Sequence, residues 1–293
     1  MKGDKLVYHY TSLQGLLGIT ESKAIRATNI LYLNDASELD YSKSLFCEEI
    51  QHLRKTNEKF KKHKTLDDSL GYFYLQSLEE NMNTLFPSKQ FSFFVSSFSE
   101  ESDLLSQWRG YGKNGSGFSL GFSLNKLQEC IKKSKIVMYQ CIYKENDQRV
   151  AIRSLLKKTC DHFINEIGNS ADKAAAWDEK TKPIAVAFFL KFIQLAPLLK
   201  HPKFIEEKEW RVIAALQTEK IIKLIKFRPG SHMIIPYIDI NLPTEDANLV
   251  IDELMVGPSN DSLLSAASVE LMLKARSVVN RKLSHSTIPY RTL

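Results

Sequence analysis

The chain reads as an α+β fold, with a mixed, mostly antiparallel central sheet interrupted by a block of helix. Three observations predict this. Short alternating or apolar segments bounded by turn residues lie towards both ends of the chain. Residues 147–199 carry a helical pattern and no glycine except Gly168. Strand and helix signals do not alternate in the regular way that builds a parallel sheet.

Leu6 to Tyr10 alternates and predicts a strand. Thr11 or Ser12 can then cap a helix with Leu13, Leu16 and Leu17 on one face. Ile30 to Leu33 reads as extended and ends in the turn pair Asn34-Asp35. Ser37 can cap a long amphipathic helix through Leu45, Phe46, Ile50 and Leu53, and another helix is expected over Leu66 to Leu85. Phe91 to Phe98 is a strong strand signal. A polar stretch and the short segment Leu104 to Tyr111 follow, and the glycines between Gly110 and Gly117 predict a loop. Phe118, Leu120 and Phe122 alternate in the next strand, and Lys135 to Tyr143 is another. Ile184 to Leu199 is apolar enough for a largely buried helix. Strands are expected at Trp210 to Leu216, Ile221 to Phe227, Met233 to Ile240 and Ile251 to Val256. Leu263 to Val279 reads as a helix and Ser284 to Tyr290 as a last strand. The whole chain, 1–293, reads as one domain, with 147–199 as a helical insertion or cap within it.

A net charge of +6 and a pI near 8.9 permit attraction to nucleic acid or polyphosphate ligands without demanding it. The basic run Lys59 to Lys64 reads as a solvated helix end. Cys47, Cys130, Cys141 and Cys160 form no Cys-x-x-Cys pair and have no histidine at ligand spacing, so no metal is expected. Their apolar neighbours suggest buried thiols in a reducing compartment. The sequence shows no apolar leader and no stretch near membrane-spanning length, so a cytoplasmic protein with no membrane partner is expected.

Classes of chemistry drop out next. The chain has no P-loop and no Gly-x-Gly-x-x-Gly after a strand. It also lacks a Gly-x-Ser-x-Gly elbow. Four polar groups remain. His9-Tyr10-Thr11-Ser12 ends the first strand, and Asn34-Asp35 precedes Glu38. Ser97-Phe98-Ser99-Glu100 leads towards Gln107-Trp108-Arg109-Gly110-Tyr111. There an aromatic ring could stack on a planar ligand and Arg109 could contact phosphate. The last group is Glu207-Lys208-Glu209-Trp210-Arg211, just ahead of Val212 to Leu216. Strand alternation sends Glu207, Glu209 and Arg211 to one side and Trp210 and Val212 to the other. The same residues also suit a surface ion-pair ladder on an edge strand.

His-Tyr-Thr-Ser, Ala-Thr-Asn, Tyr-Leu-Asn-Asp, Ser-Phe-Ser-Glu, Gln-Trp-Arg-x-Tyr-Gly, Leu-Gly-Phe and Glu-x-Glu-Trp-Arg occur in that order. As a set they resemble a widespread bacterial family of unknown function, across nearly the whole chain. At a deeper level the arrangement resembles the ADP-ribosyltransferase superfamily. Its members carry a His or Arg on the first strand, a Ser or Tyr motif on a middle strand and a catalytic Glu, often within Glu-x-Glu, on a later one. His9 matches the first position, Ser97 to Ser99 the second, and Glu207 with Glu209 the third. The pattern is mixed, because His belongs with the Tyr branch and Glu-x-Glu with the Arg branch.

The resemblance implies an ADP-ribosyltransferase-like sheet and an enzyme that uses NAD as co-substrate. It cleaves the nicotinamide–ribose bond and modifies a macromolecule, nucleic acid or protein. Glu209, Glu207 and His9 would be catalytic. Tyr10, Thr11, Asn34, Asp35, Ser97, Ser99, Trp108, Arg109, Tyr111 and Arg211 would bind the nucleotide. It also implies a toxin or phage-defence role, with an antitoxin or sensor protein as a candidate partner. The alternatives are an NAD glycohydrolase, with water as acceptor, and a non-catalytic module that binds nucleic acid through the Trp108–Tyr111 segment.

Overall fold

β3 (Phe91–Ser99) is the trunk on which the main sheet is assembled. The computed structural model describes residues 4–33, 36–65, 67–82, 91–112, 117–132, 136–217, 222–258 and 262–289. Ahead of β3 come β1 (Leu6–Thr11), α1 (Leu13–Ser22), β2 (Ala24–Asn29), α2 (Ala36–Thr56) and α3 (Leu70–Asn81). After it come α4 (Leu105–Tyr111), β4 (Phe118–Ser123), α5 (Leu124–Lys132), β5 (Ile136–Gln140), α6 (Glu145–Gly168) and α7 (Lys173–Leu195). The remainder is β6 (Glu209–Gln217), β7 (Lys226–Pro229), β8 (Ile234–Asn241), β9 (Thr244–Glu245), β10 (Asn248–Ile251), β11 (Glu253–Val256), α8 (Ser262–Ala275), β12 (Val279–Asn280) and β13 (Leu283–His285).

The class is α+β with a mixed, mostly antiparallel sheet that has, among the described residues, ten strands in the order β13-β11-β4-β1-β3-β2-β8-β7, with β6 and then β5 branching from β3. Among the described residues, only β11 and β13 run parallel in this sheet. β6 pairs with the full length of β3, from Phe91↔Gln217 to Ser99↔Glu209. The opposite edge of β3 is shared. β1 meets it at Tyr8↔Ser99, and β2 meets it at Thr28↔Val95 and Asn29↔Phe94. The sheet therefore forks around Ser97.

Strand alternation assigns each face its own core. Phe94, Phe98, Val212, Ala214, Val7 and Leu120 face one side, with α1, α5 and α8 contributing Leu16, Leu127 and Leu273. Phe93, Val95 and Ile213 face the other, under Phe46, Leu75, Phe163 and Phe188 from α2, α3, α6 and α7. On that second face, next to β1 and β4, lies a small cluster of Tyr8, Tyr10, Trp108 and Met255. The helical block thus shares its core with the N-terminal helices α2 and α3. Lys173–Leu198 is long and apolar enough to cross a membrane by length and composition, which revises the expectation that no stretch is; 44% of its apolar window is buried inside the fold.

Several boundaries differ from the expectation. Ile30–Tyr32 is a 3-10 turn, not a strand: the Asn29 side chain accepts from the Leu31 N–H and closes it. Ala24–Asn29 is a strand that the sequence reading passed over, and Ile251 to Val256 divides into β10 and β11. Of the strand expected over 221–227, residue 221 lies outside the described residues, 222–224 form a turn, and the strand runs over Lys226–Pro229. Of the Gly110–Gly117 loop, 113–116 lie outside the described residues, as do Asn34 and Asp35.

Candidate active site

Between the helical core and the Trp108 cluster, the second face of the sheet carries charge where apolar side chains would otherwise stand. β6 supplies Glu209 and Arg211, with Trp210 turned to the opposite face, as alternation requires. Glu207 precedes the strand, as the last residue of a 3-10 turn (Pro202–Glu207). Lys208 then takes a left-handed backbone, φ 41°, which returns Glu207 to the same side as Glu209.

Lys200 and Arg211 join three carboxylates there. The Lys200 ammonium lies 2.6 Å from Glu207, 2.5 Å from Glu209 and 3.5 Å from Glu38. Arg211 bonds both oxygens of Glu209, at 2.7 and 3.0 Å, and lies 2.6 Å from Glu38. Its remaining nitrogen donates to the Pro197 carbonyl at 2.6 Å. The Glu209 N–H donates to the Tyr143 hydroxyl at 2.7 Å, and Cys141 donates its N–H to the Glu209 carbonyl. Lys200, Glu209 and Arg211 are each no more than 6% exposed. β6 is paired on both edges, so the surface ion-pair ladder is excluded.

Three carboxylates against two cations leave one negative charge in excess when all are ionised. The protein distributes this unevenly. Burial opposes ionisation of Glu209, but the Arg211 and Lys200 charges outweigh it and pull its carboxyl down to about 2. Glu207 shares Lys200 but lacks Arg211. Burial, with the nearby Glu209 and Glu38 charges, pushes its carboxyl upward. Lys200 is held charged by its carboxylates despite burial. Two carboxylates driven in opposite directions within one site are the usual signature of a division between a permanent anion and a proton carrier.

Tyr111, at the end of α4, looks over this group. Half of its side chain is exposed (49%). Its hydroxyl end is enclosed, and burial followed by the Glu209 charge pushes it up to about 12. Ser97 lies in register with Arg211, and Ser99 with Glu209, so both share that face. Ser99 is already committed: it donates to the Glu207 carbonyl at 2.6 Å and accepts from the Glu101 N–H. Arg109 is solvent-exposed on α4.

The other expected residues do not converge on the carboxylates. Tyr8 stands in register with Ser99 and Glu209, so its neighbour His9 points to the opposite face, with Phe98 at 5.5 Å between ring centres. His9 instead serves the fork: its Nδ1 lies 3.0 Å from the Ser97 carbonyl. A carbonyl only accepts, so Nδ1 carries the proton, and burial keeps the ring neutral by lowering its pKa. Thr11 follows His9 onto that face, in register with Phe118. Tyr10 is on the correct face but fastens a loop, donating to the Glu101 carbonyl at 2.7 Å and accepting from the Leu104 N–H at 3.0 Å.

Trp108 offers no stacking surface. It is 1% exposed, edge-on to Tyr10 at 4.7 Å, and donates its Nε1–H to Asp103 at 2.7 Å. A Cβ on Gly257 would stand 3.0 Å from this ring, so backbone packs directly against it. The sequence reading missed Lys200, Tyr143 and the charge role of Glu38. The one local cue to Lys200 is its position, directly after the apolar run that ends at Leu199 and ahead of His201-Pro202. Among the described residues, no group of three or more His, Cys, Asp or Glu side chains is placed to hold a metal ion.

No curated protein and no solved structure matched the chain. The family model described as a protein of unknown function (DUF2971) matches residues 107–212, the stretch that carries Trp108, Arg109, Tyr111, Lys200, Glu207, Glu209 and Arg211. Over that stretch the chain is similar to this uncharacterised family.

Proposed function

We propose that the protein is an enzyme of glycosyl transfer that uses NAD as donor and moves ADP-ribose to a macromolecule, nucleic acid or protein. The observation that carries this reading is the pair Glu207 and Glu209, held in one buried cluster with opposite proton affinities. Breaking the nicotinamide–ribose bond sends the bonding electrons out with neutral nicotinamide and leaves an oxocarbenium-like ribose. The excess negative charge at Glu209 and its partners answers that developing positive charge in a site with little water to screen it. An acceptor hydroxyl or amine then attacks the ribose carbon and gives its proton to Glu207, whose raised proton affinity suits a general base.

Lys200 and Arg211 hold Glu209 ionised and orient it. Exposed Tyr111 and partly exposed Ser97 share the face of the cluster and would meet the nicotinamide riboside, and Arg109, solvent-exposed on α4, would meet the nucleotide phosphates. His9, Thr11 and Trp108 have no place in this site; they form the scaffold around it. A protein of this chemistry fits a toxin or phage-defence effector working in the cytoplasm, with a partner protein to restrain it.

The experiment is incubation of the purified protein with NAD labelled in the adenylate phosphate, alone and with cellular RNA, DNA or protein. Label transferred to one fraction establishes the transferase and names the acceptor class. Nicotinamide released with label remaining in free ADP-ribose means the glycohydrolase. No release with any acceptor rejects the reading.

A further inference from the structure

The edge of the main sheet carries a run of exposed apolar side chains. Ile222, Leu224, Phe227, Met233 and Ile234 are each 58–68% exposed, within thirteen residues. The hairpin pairs Phe227 with Pro236 and Pro229 with Ile234. Ile238 and Ile240, farther along the same alternation, are buried in the core. Phe227 and Ile234 therefore extend the apolar face outward, past the point where the fold covers it.

The opposite face of the hairpin is cationic. Lys226 and Arg228 alternate with the apolar positions, Lys223 precedes them, and Arg26 lies 4.9 Å over the Tyr237 ring behind them. No Asp or Glu occurs between 222 and 238, and Asp239 bonds Lys226 at 2.6 Å. β7 ends the strand order, so its outer edge meets no strand among the described residues.

The chemistry of this surface selects its partner. A second copy paired along β7 would bring Lys226 and Arg228 close to the same cations of its mate, which is unfavourable. Nucleic acid would use the cations but find two rings on opposite sides of the turn, Phe227 and His232, among Ile222, Leu224, Met233 and Ile234, which cannot stack on bases. A hairpin with Phe227 and Ile234 on one face, Lys226 and Arg228 on the other and Met233 exposed at its turn fits a surface that takes up apolar side chains without a complementary groove. We propose that the β7–β8 hairpin docks on an anionic lipid bilayer, with Phe227, Met233 and Ile234 entering the interface and Lys223, Lys226 and Arg228 reaching the headgroups. Lying in the interface needs no spanning segment, so this contact does not depend on a helix long enough to cross the membrane.

The test is co-sedimentation of the full chain with vesicles of phosphatidylcholine, alone or mixed with phosphatidylserine. Binding is expected to the mixed vesicles and to weaken as salt rises, each cation contributing about fivefold. F227D/I234D and K223E/R228E should each reduce it at least tenfold. These positions are at the surface, and an unchanged unfolding midpoint verifies that the variants fold. A Phe227→Trp variant, compared with the parent chain, should show additional blue-shifted emission on mixed vesicles and none with single-stranded RNA. Absence of binding, equal binding to neutral vesicles, or binding indifferent to both double variants overturns the proposal. So does a dimer that the F227D/I234D pair dissolves.

Discussion

Lys200 Nζ lies between the carboxylates of Glu207 and Glu209, 2.6 Å from the first and 2.5 Å from the second. One buried ammonium thus couples two acids whose environments pull them apart. Removing it would leave Glu209 to Arg211 alone and Glu207 without its cation. Lys200→Met is expected to cost about 3–5 kcal/mol, the usual penalty for stranding a buried charge. Lys200→Arg, which keeps the charge, should cost clearly less. Urea unfolding of both variants measures this.

The two glutamates should respond with opposite sign to neutralisation. Glu209 is depressed when folded, so its ionised form favours folding, and Glu209→Gln lowers stability at pH 7. Glu207 is raised, so its ionised form opposes folding, and Glu207→Gln leaves stability at pH 7 unchanged or higher. Equal losses from both substitutions would contradict the assigned environments.

Acid should act through the same group. A carboxylate with a lowered folded pKa contributes stability above its unfolded value and loses it as pH falls through the folded one. For Glu209 that window runs from 4.5 down to about 2. The contribution is about 3 kcal/mol. Stability followed from pH 5 to pH 2 should fall less steeply in Glu209→Gln than in the parent chain.

His9 is expected to take up its second proton at a lower pH than a free imidazole because burial disfavours its cation, and its neutral-form resonances should show Nδ1 protonated. His9→Ala leaves the Ser97 carbonyl at the sheet fork without this donor and should cost about 1–3 kcal/mol. His9→Asn, whose amide can reach the same acceptor, should recover part of it.

Trp108 and Asp103 tie α4 to the C-terminal segment, because Asp103 also accepts from Ser286 Oγ at 2.6 Å and the Thr287 N–H at 3.1 Å. Trp108→Ala is expected to cost about 3–5 kcal/mol. Asp103→Ala should raise hydrogen exchange at Thr287 and Ile288 first.

The sheet was legible where one residue type dominates an alternation. Phe91 to Phe98 and Trp210 to Leu216 carry enough aromatic and β-branched residues to set both faces, and they became paired strands. Ala24–Asn29 escaped because Arg26, Thr28 and Asn29 weaken its apolar pattern; its pairing with β8 supplies the stability. Within the site, Glu209 and Arg211 were legible because strand period alone places them together; Glu207 joins them from a 3-10 turn through the left-handed Lys208, which strand period does not describe. His9 was misplaced because the register between β1 and β3, fixed by Tyr8↔Ser99, is a tertiary property. Lys200 was invisible for a related reason: its carboxylate partners come from α2, from the 3-10 turn and from β6. Trp108 in a polar, glycine-flanked segment suggested an open ring, but packing against Tyr10 and Gly257 closes it.

Chemistry on NAD by the Glu207–Glu209 pair is directly measurable. The direct measurement is nicotinamide release from NAD by the parent chain, Glu209→Gln and Glu207→Gln, with each variant's folding verified. Expected are release by the parent chain, a fall of about 100-fold or more in Glu209→Gln, and a smaller fall in Glu207→Gln that depends on the acceptor. Release that survives in a folded Glu209→Gln variant, or no release by the parent chain with any acceptor, would contradict that role for the pair.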